Sequence, residues 1–189
     1  DIRYTVTSNN KSPSKMSKTS YNLNLIKAVV FDIDGVLSPS TVPMDANGVP
    51  MRMANIKDGY ALQLAVKKGL RLAIISGAKT EAVERRYHGL GFHDVFLGIP
   101  DKESCLREWM DKNGLESAQV AYVGDDIPDI PAMRIAGLSV APADAASEVK
   151  SIAQYITVAA GGHGVARELL EQIMRAQDLW LSDKEVYSW

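Results

Sequence analysis

Apolar positions along the chain follow two recurrent patterns. Short aliphatic and β-branched runs without alternation mark residues 25–31 (LIKAVVF), 71–76 (RLAIIS), 94–98 (DVFLG), 119–124 (QVAYVG), 138–141 (LSVA) and, more weakly, 154–158 (QYITV). A strand apolar on both sides is one buried on both faces of a parallel sheet. Between most of these runs the apolar period becomes helical, over residues 58–68, 80–90 and 164–181. After Lys102, the spacing of Cys105, Leu106, Trp109 and Met110 predicts another helix, with Gly114 as its C-terminal cap. Strands alternating with helices predict an α/β fold, a Rossmann-like, doubly wound, mostly parallel sheet with right-handed crossovers. One segment breaks the alternation. Residues 38–55 hold Pro39, Pro43 and the turn-like Asp45-Ala46-Asn47-Gly48 before VPMRMAN, and predict a small β-hairpin inserted after the first strand. It is too short to be a cap domain.

Composition narrows this picture without redirecting it. A length of 189 residues suits one domain. Residues 1–22, rich in Ser, Thr, Asn and Lys, are expected to be a flexible leader, residues 23–181 the folded domain and residues 182–189 a C-terminal tail. A formal net charge of -2, with both signs interspersed, marks no nucleic-acid or anionic-membrane surface. No apolar run approaches the roughly 20 residues that span a bilayer. The lone Cys105 rules out an internal disulfide and a Cys-rich zinc site, and a cytoplasmic setting is expected.

The chemistry lies at the strand ends. Open α/β sheets bind ligands beyond the carboxyl ends of their strands. There the first strand runs into Asp32-Ile33-Asp34-Gly35, the second into Ser76-Gly77, the third toward Asp101-Lys102, and the fourth into Gly124-Asp125-Asp126. If these ends are neighbours, Asp32, Asp34 and Asp125 bring carboxylates together, an arrangement that either raises a pKa or calls for a cation. All-oxygen ligation suits Mg2+. A carboxylate can attack phosphorus and form an aspartyl-phosphate. Lys102, the Ser76 hydroxyl and the Gly77 amide are the matching donors for a phosphoryl group. Asp34, two residues beyond Asp32, is placed to protonate a leaving alcohol and then to deprotonate the attacking water.

In this respect the chain resembles the haloacid dehalogenase superfamily of phosphotransferases. FDIDGVL, IISG, the lysine of PDK and GDDIPD occur in the family's order over about residues 25–141. The resemblance implies Asp32 as nucleophile, Asp34 as acid and base, Ser76 and Lys102 as phosphate ligands, and Asp125 as the second Mg2+ carboxylate. It implies metal binding through the backbone carbonyl of Asp34, with Asp129 and Asp126 supporting the metal's water shell. The missing cap looks like the capless subclass. IKDGY (residues 56–60), VERR (residues 83–86) and GGHGVARELLEQI (residues 161–173) are similar to its branch of 3-deoxy-D-manno-octulosonate 8-phosphate phosphatases. That branch implies a sugar-acid phosphate substrate of lipopolysaccharide sugar synthesis and a homotetramer with hairpins gathered in a barrel. It also implies a neighbour's C-terminal tail over the site. Relatives acting on nine-carbon 2-keto-3-deoxy 9-phosphates leave the sugar open, since Ala78 and Leu97 depart from the branch's frequent Arg and Gln.

Each residue has an ordinary reading as well. DxDG alone is a common helix-capping turn, and Asp129 suits amide capping in a Pro-flanked first turn. Lys57 and Arg86 are expected either as ligands of the sugar carboxylate or as surface charges. His88, His93 and His163 lack metal-ligand spacing. Cys105 and Trp109 read as core, and Trp180, Tyr187 and Trp189 as an aromatic tail, either buried against another subunit or unpacked. Two further classes remain open: a receiver-like signalling domain, although there the phosphorylated aspartate closes the third strand, and a non-catalytic binding subunit.

Overall fold

The computed structural model describes residues 19–187, excluding the side chain of Glu185. Six parallel strands form one sheet: β1 (Ala28–Phe31), β2 (Arg71–Ile75), β3 (Asp94–Phe96), β4 (Val120–Val123), β5 (Leu138–Ala141) and β6 (Tyr155–Ile156). Their spatial order is β3-β2-β1-β4-β5-β6. The chain therefore builds outward from β1 in one direction, returns, and builds outward in the other. The crevice of such a sheet opens where the order reverses, between β1 and β4.

Among the described residues six α-helices cover the two faces: α1 (Ile56–Lys67), α2 (Glu81–Gly89), α3 (Lys102–Asn113), α4 (Ile130–Ile135), α5 (Ser147–Ile152) and α6 (Val165–Ala176). Alternation along each strand sorts the core into two clusters. Val29, Phe31, Leu72, Ile74 and Val123 pack with Leu62, Val83, Leu169 and Ile173 under α1, α2 and α6. Ala28, Val30, Ala73, Ile75 and Tyr122 pack with Leu106, Trp109, Met133 and Val149 under α3, α4 and α5. A sheet apolar on both sides is the signature of helices on both faces, so the doubly wound reading holds, and among the described residues no cap domain is evident.

Local signals set most boundaries. Asp101 caps α3 by accepting the Ser104 N–H at 3.0 Å, and Gly114 ends it in the left-handed region at φ 61°. The N-cap of α6 is Gly164, which has no side chain to offer. Asp58 of α1 supplies the cap across the helix interface, its Oδ1 accepting the Arg167 N–H at 2.7 Å.

Three expectations change. Residues 38–55 turn back on themselves without forming two strands: one antiparallel bridge links Met44 and Pro50. Pro43 and Pro50 withhold N–H donors there, and an isolated two-stranded pair is marginal in any case. Next, α6 stops at Ala176 rather than near residue 181, and Asp178 and Leu181 take positive φ as the chain turns. Finally, residues 19–22 of the expected leader are seated on the domain, with Tyr21 Oη donating to the Ala118 carbonyl at 2.8 Å. Residues 1–18 lie outside the described residues, as does Trp189 of the aromatic tail.

The described part of the tail, up to Tyr187, folds back onto its own domain. Val186 is buried, and the Tyr60 hydroxyl donates to its carbonyl at 2.5 Å. Trp180 lies under Arg167, whose guanidinium carbon is 4.7 Å from the ring centroid. Tyr187 is exposed. An open cleft of about 440 Å³ lies here, lined by Tyr60, Arg167, Arg175, Trp180 and Tyr187 among others, and none of the strand-end residues borders it.

Candidate active site

Register brings the strand ends together. Phe31 pairs with Ile74 on β2 and with Val123 on β4, so Asp32, Ser76 and Asp125 leave the sheet within one or two residues of a common level. Asp32 is buried at 6% exposure, and its Oδ1 accepts the Ile33 N–H at 2.6 Å. Oxygens of Asp32, Asp125 and Asp129 lie within 4.8 Å of one another.

Two glycines make this approach possible. At Gly35, with φ 77°, an added Cβ would stand 1.8 Å from Asp125 Oδ2, so only glycine lets the loop after β1 pass the carboxylate. At Gly124 a Cβ would meet the Asp129 Cβ at 2.4 Å.

Lys102, the first residue of α3 and 7% exposed, enters the cluster from the other side. Its Nζ donates to Asp32 Oδ2 at 2.7 Å and to Asp129 Oδ1 at 2.8 Å. A helix N-terminus disfavours a cation, and the two carboxylates reverse that preference. Burial opposes them, yet they hold the Lys102 ammonium above its ordinary pKa.

Asp129 is fully buried. Besides Lys102 it accepts from Tyr122 Oη at 3.0 Å through Oδ1, and from the Asp125 and Asp126 amides at 3.0 and 3.3 Å through Oδ2. Asp126 is exposed; its Oδ1 accepts the Ile127 N–H at 2.8 Å, capping a short 3-10 turn.

The electrostatics favour a cation. Burial first, then the Asp129 charge, push Asp32 up to about 6 against the pull of Lys102. Burial, Asp129, Asp32 and Asp126 push Asp125 up to about 7. One ammonium does not balance three clustered carboxylates, and a hard divalent ion with oxygen ligands does. The donor set fits Mg2+.

Ser76 and Gly77, expected to bind phosphate, leave the neighbouring strand β2. Ser76, 1% exposed, accepts the Ala78 N–H at 3.2 Å through Oγ and keeps its own hydroxyl proton to give. Gly77 follows it, exposed at the end of β2. Asp34 stands apart from the carboxylate cluster: both of its oxygens accept from Arg52, Nε to Oδ1 and Nη2 to Oδ2, each at 2.8 Å.

Lys57 is exposed in the first turn of α1. Arg86 lies against Gly59 between α2 and α1, with its Nε buried. Among the described residues neither makes a hydrogen bond or ion pair to the cluster. Arg52 and Tyr122 were missed in the sequence. The signal for Arg52 is its isolation as the one charged residue between Asp45 and Lys57; for Tyr122 it is a hydroxyl inside the run VAYV.

Comparison with known proteins accords with this geometry. Residues 95–169 match the haloacid dehalogenase-like hydrolase family. A 3-deoxy-D-manno-octulosonate 8-phosphate phosphatase of Salmonella typhimurium is 37% identical over 166 residues, 88% of this chain and 86% of that protein. The chain belongs to this phosphatase family. Among solved structures, a probable YrbI family phosphatase from Pseudomonas syringae superposes with a TM-score of 0.83 at 41% identity, covering 88% of this chain and 94% of that one. The 3-deoxy-D-manno-octulosonate 8-phosphate phosphatase of Moraxella catarrhalis, solved with magnesium, phosphate and KDO, gives 0.79 at 33% identity, covering 84% and 91%. The strand ends described above lie within the span shared with these relatives.

Proposed function

We propose that the chain hydrolyses 3-deoxy-D-manno-octulosonate 8-phosphate to the free sugar acid and phosphate through an aspartyl-phosphate on Asp32, with Mg2+ as cofactor. The observation that carries this reading is the cluster of buried Asp32 and Asp129 and half-buried Asp125 with Lys102 at adjoining strand ends. Asp32, Asp125 and the main-chain carbonyl of Asp34 would hold the Mg2+, whose charge lets an anionic nucleophile meet an anionic phosphate. An Asp32 oxygen attacks phosphorus as the ester P–O bond breaks, and Asp34 gives its proton to the departing oxygen. Water then attacks the aspartyl-phosphate, returning its proton to Asp34 and freeing Asp32. Lys102, Ser76 and the Gly77 amide bind the phosphoryl oxygens throughout. Asp129 orients Lys102 and the loop amides, and Asp126 caps the same loop.

The exposed apolar residues of the 38–55 excursion, Met44 at 69%, Met51 at 49% and Met53 at 57%, support a homotetramer assembled through it. The free Cys105 suits a cytoplasmic enzyme. Among the described residues no helix is long and apolar enough to cross a membrane.

The test is kcat/KM over eight- and nine-carbon 2-keto-3-deoxy sugar-acid phosphates, with and without chelator. Preference for the eight-carbon 8-phosphate and loss of turnover on chelation are expected. Preference for a nine-carbon 9-phosphate would reassign the substrate while leaving the chemistry intact, and turnover surviving chelation would remove the metal. Sedimentation of a monomer at working concentration would count against the tetramer.

A further inference from the structure

The pair formed by Arg52 and Asp34 does something the nucleophile and phosphate ligands do not account for. Its two parallel N–H···O bonds are the strong, geometrically selective form of an arginine–carboxylate contact. The Arg52 side chain is 11% exposed and that of Asp34 47%, so the guanidinium is the buried partner. Backbone contacts hold both ends. The Met53 N–H donates to Ser38 Oγ at 3.0 Å, the Met51 N–H donates to the Pro43 carbonyl at 2.8 Å, and Asp34 itself bridges to Ser38. Arg52 is thus fixed by its neighbours on the excursion, and Asp34 by Arg52.

Asp34 lies two residues beyond Asp32, and its carboxylate is nonetheless outside the cluster of Asp32, Asp125 and Asp129. A divalent cation in that cluster attracts any nearby carboxylate free to rotate toward it. A carboxylate captured in this way is turned toward the ion and away from a leaving oxygen, whereas the arginine fork takes one lone pair of each oxygen and leaves the other for a proton. Some fixed cation has to compete for it.

We propose that Arg52 is a positioning residue that holds the Asp34 carboxylate out of the metal's coordination sphere, facing the mouth of the site. The inference rests on the reading of Asp34 as acid and base given above. Arg52 itself touches neither the phosphorus nor the nucleophile; it acts through Asp34.

Arg52→Met removes the donors and keeps an unbranched side chain. Calorimetric titration of Mg2+ into the chelator-stripped full chain should show the variant binding several-fold more tightly than wild type. Its kcat on the sugar-acid phosphate should fall about tenfold or more. Arg52→Lys, which keeps a cation but loses the fork, should fall between the two on both measurements. Combining Asp34→Asn with Arg52→Met should abolish the gain in Mg2+ affinity, because the carboxylate that joins the ion is gone. Wild-type Mg2+ affinity in Arg52→Met overturns the proposal, as does an affinity that falls together with kcat. If Arg52→Met does not fold, Arg52→Lys decides by the same two criteria. Asp34→Asn alone tests the underlying reading separately: undiminished turnover there would remove Asp34 as acid and base, whatever the titrations show.

Discussion

Lys102 and Asp32, 70 residues apart in the chain, meet at 2.7 Å in the interior of the site. The contact joins the start of α3 to the end of β1, and Asp129 completes it from the 3-10 turn that follows β4. Lys102→Met would leave two buried carboxylates without their cation. A loss of about 3 to 5 kcal/mol is expected for breaking a buried pair in this way. Urea unfolding of the metal-free chain measures it, and kcat/KM should fall with it because the proposed phosphate site loses Lys102.

Proton and metal should compete for the cluster. With Asp32 raised to about 6 and Asp125 to about 7 in the metal-free site, both carboxyls hold protons at mildly acidic pH. Mg2+ requires them ionised, so apparent affinity should rise with pH through this window and level off above it, by up to about tenfold per pH unit for each proton displaced. Calorimetry in buffers of different ionisation enthalpy counts the protons released. A pH-independent affinity would contradict the assignment of Asp32 and Asp125 as ligands.

Asp58 should make the fold more stable in acid. Burial pushes its carboxyl up to about 6, and the Arg167 N–H only partly offsets this. A carboxyl raised on folding contributes stability that is complete below its unfolded pKa and is lost as pH rises through the folded one, here between about pH 4 and about pH 6. Asp58→Asn keeps an acceptor for the Arg167 N–H and removes the charge. Above about pH 6 it should gain up to about 2 to 3 kcal/mol over wild type. Denaturation midpoints of the two proteins across this range measure the difference.

Gly35→Ala should damage stability and metal binding together. Its φ of 77° strains any side chain, and its Cβ would stand 1.8 Å from Asp125 Oδ2. Backbone strain alone costs about 1 to 3 kcal/mol, and relief of the clash must move the Asp125 carboxylate. Melting temperature and Mg2+ affinity should both fall. An unchanged affinity would show that Asp125 can be displaced without harm to the metal site.

The sequence by itself determined the strands, most helices and the strand-end residues proposed to form the phosphate site, because each was written locally. Unalternating apolar runs mark strands buried on both faces, Asp101 and Gly114 bracket α3, and the family's motifs stand at successive strand ends. Boundaries were less legible: α6 stops at Ala176 because the chain turns into positive φ at Asp178, a backbone choice the continuing apolar period conceals. The excursion at 38–55 lacks a ladder because its prolines cannot donate, although its turn residues announce a hairpin.

What only the tertiary structure decided is which charges meet. Asp129 reads in sequence either as support for the metal's water shell or as an amide cap, and the fold makes it the partner of Lys102 and Tyr122 as well as the acceptor of two loop amides. Arg52 carries no motif at all, and the return of the excursion over the strand ends places it on Asp34. The physical reason is that a side chain's pairing depends on distances set by β-strand register and loop closure. Residue order constrains neither directly. Once β1 and β4 pair at Phe31 and Val123, the carboxylates beyond them are brought together, and burial makes their pairing and any cation among them decisive.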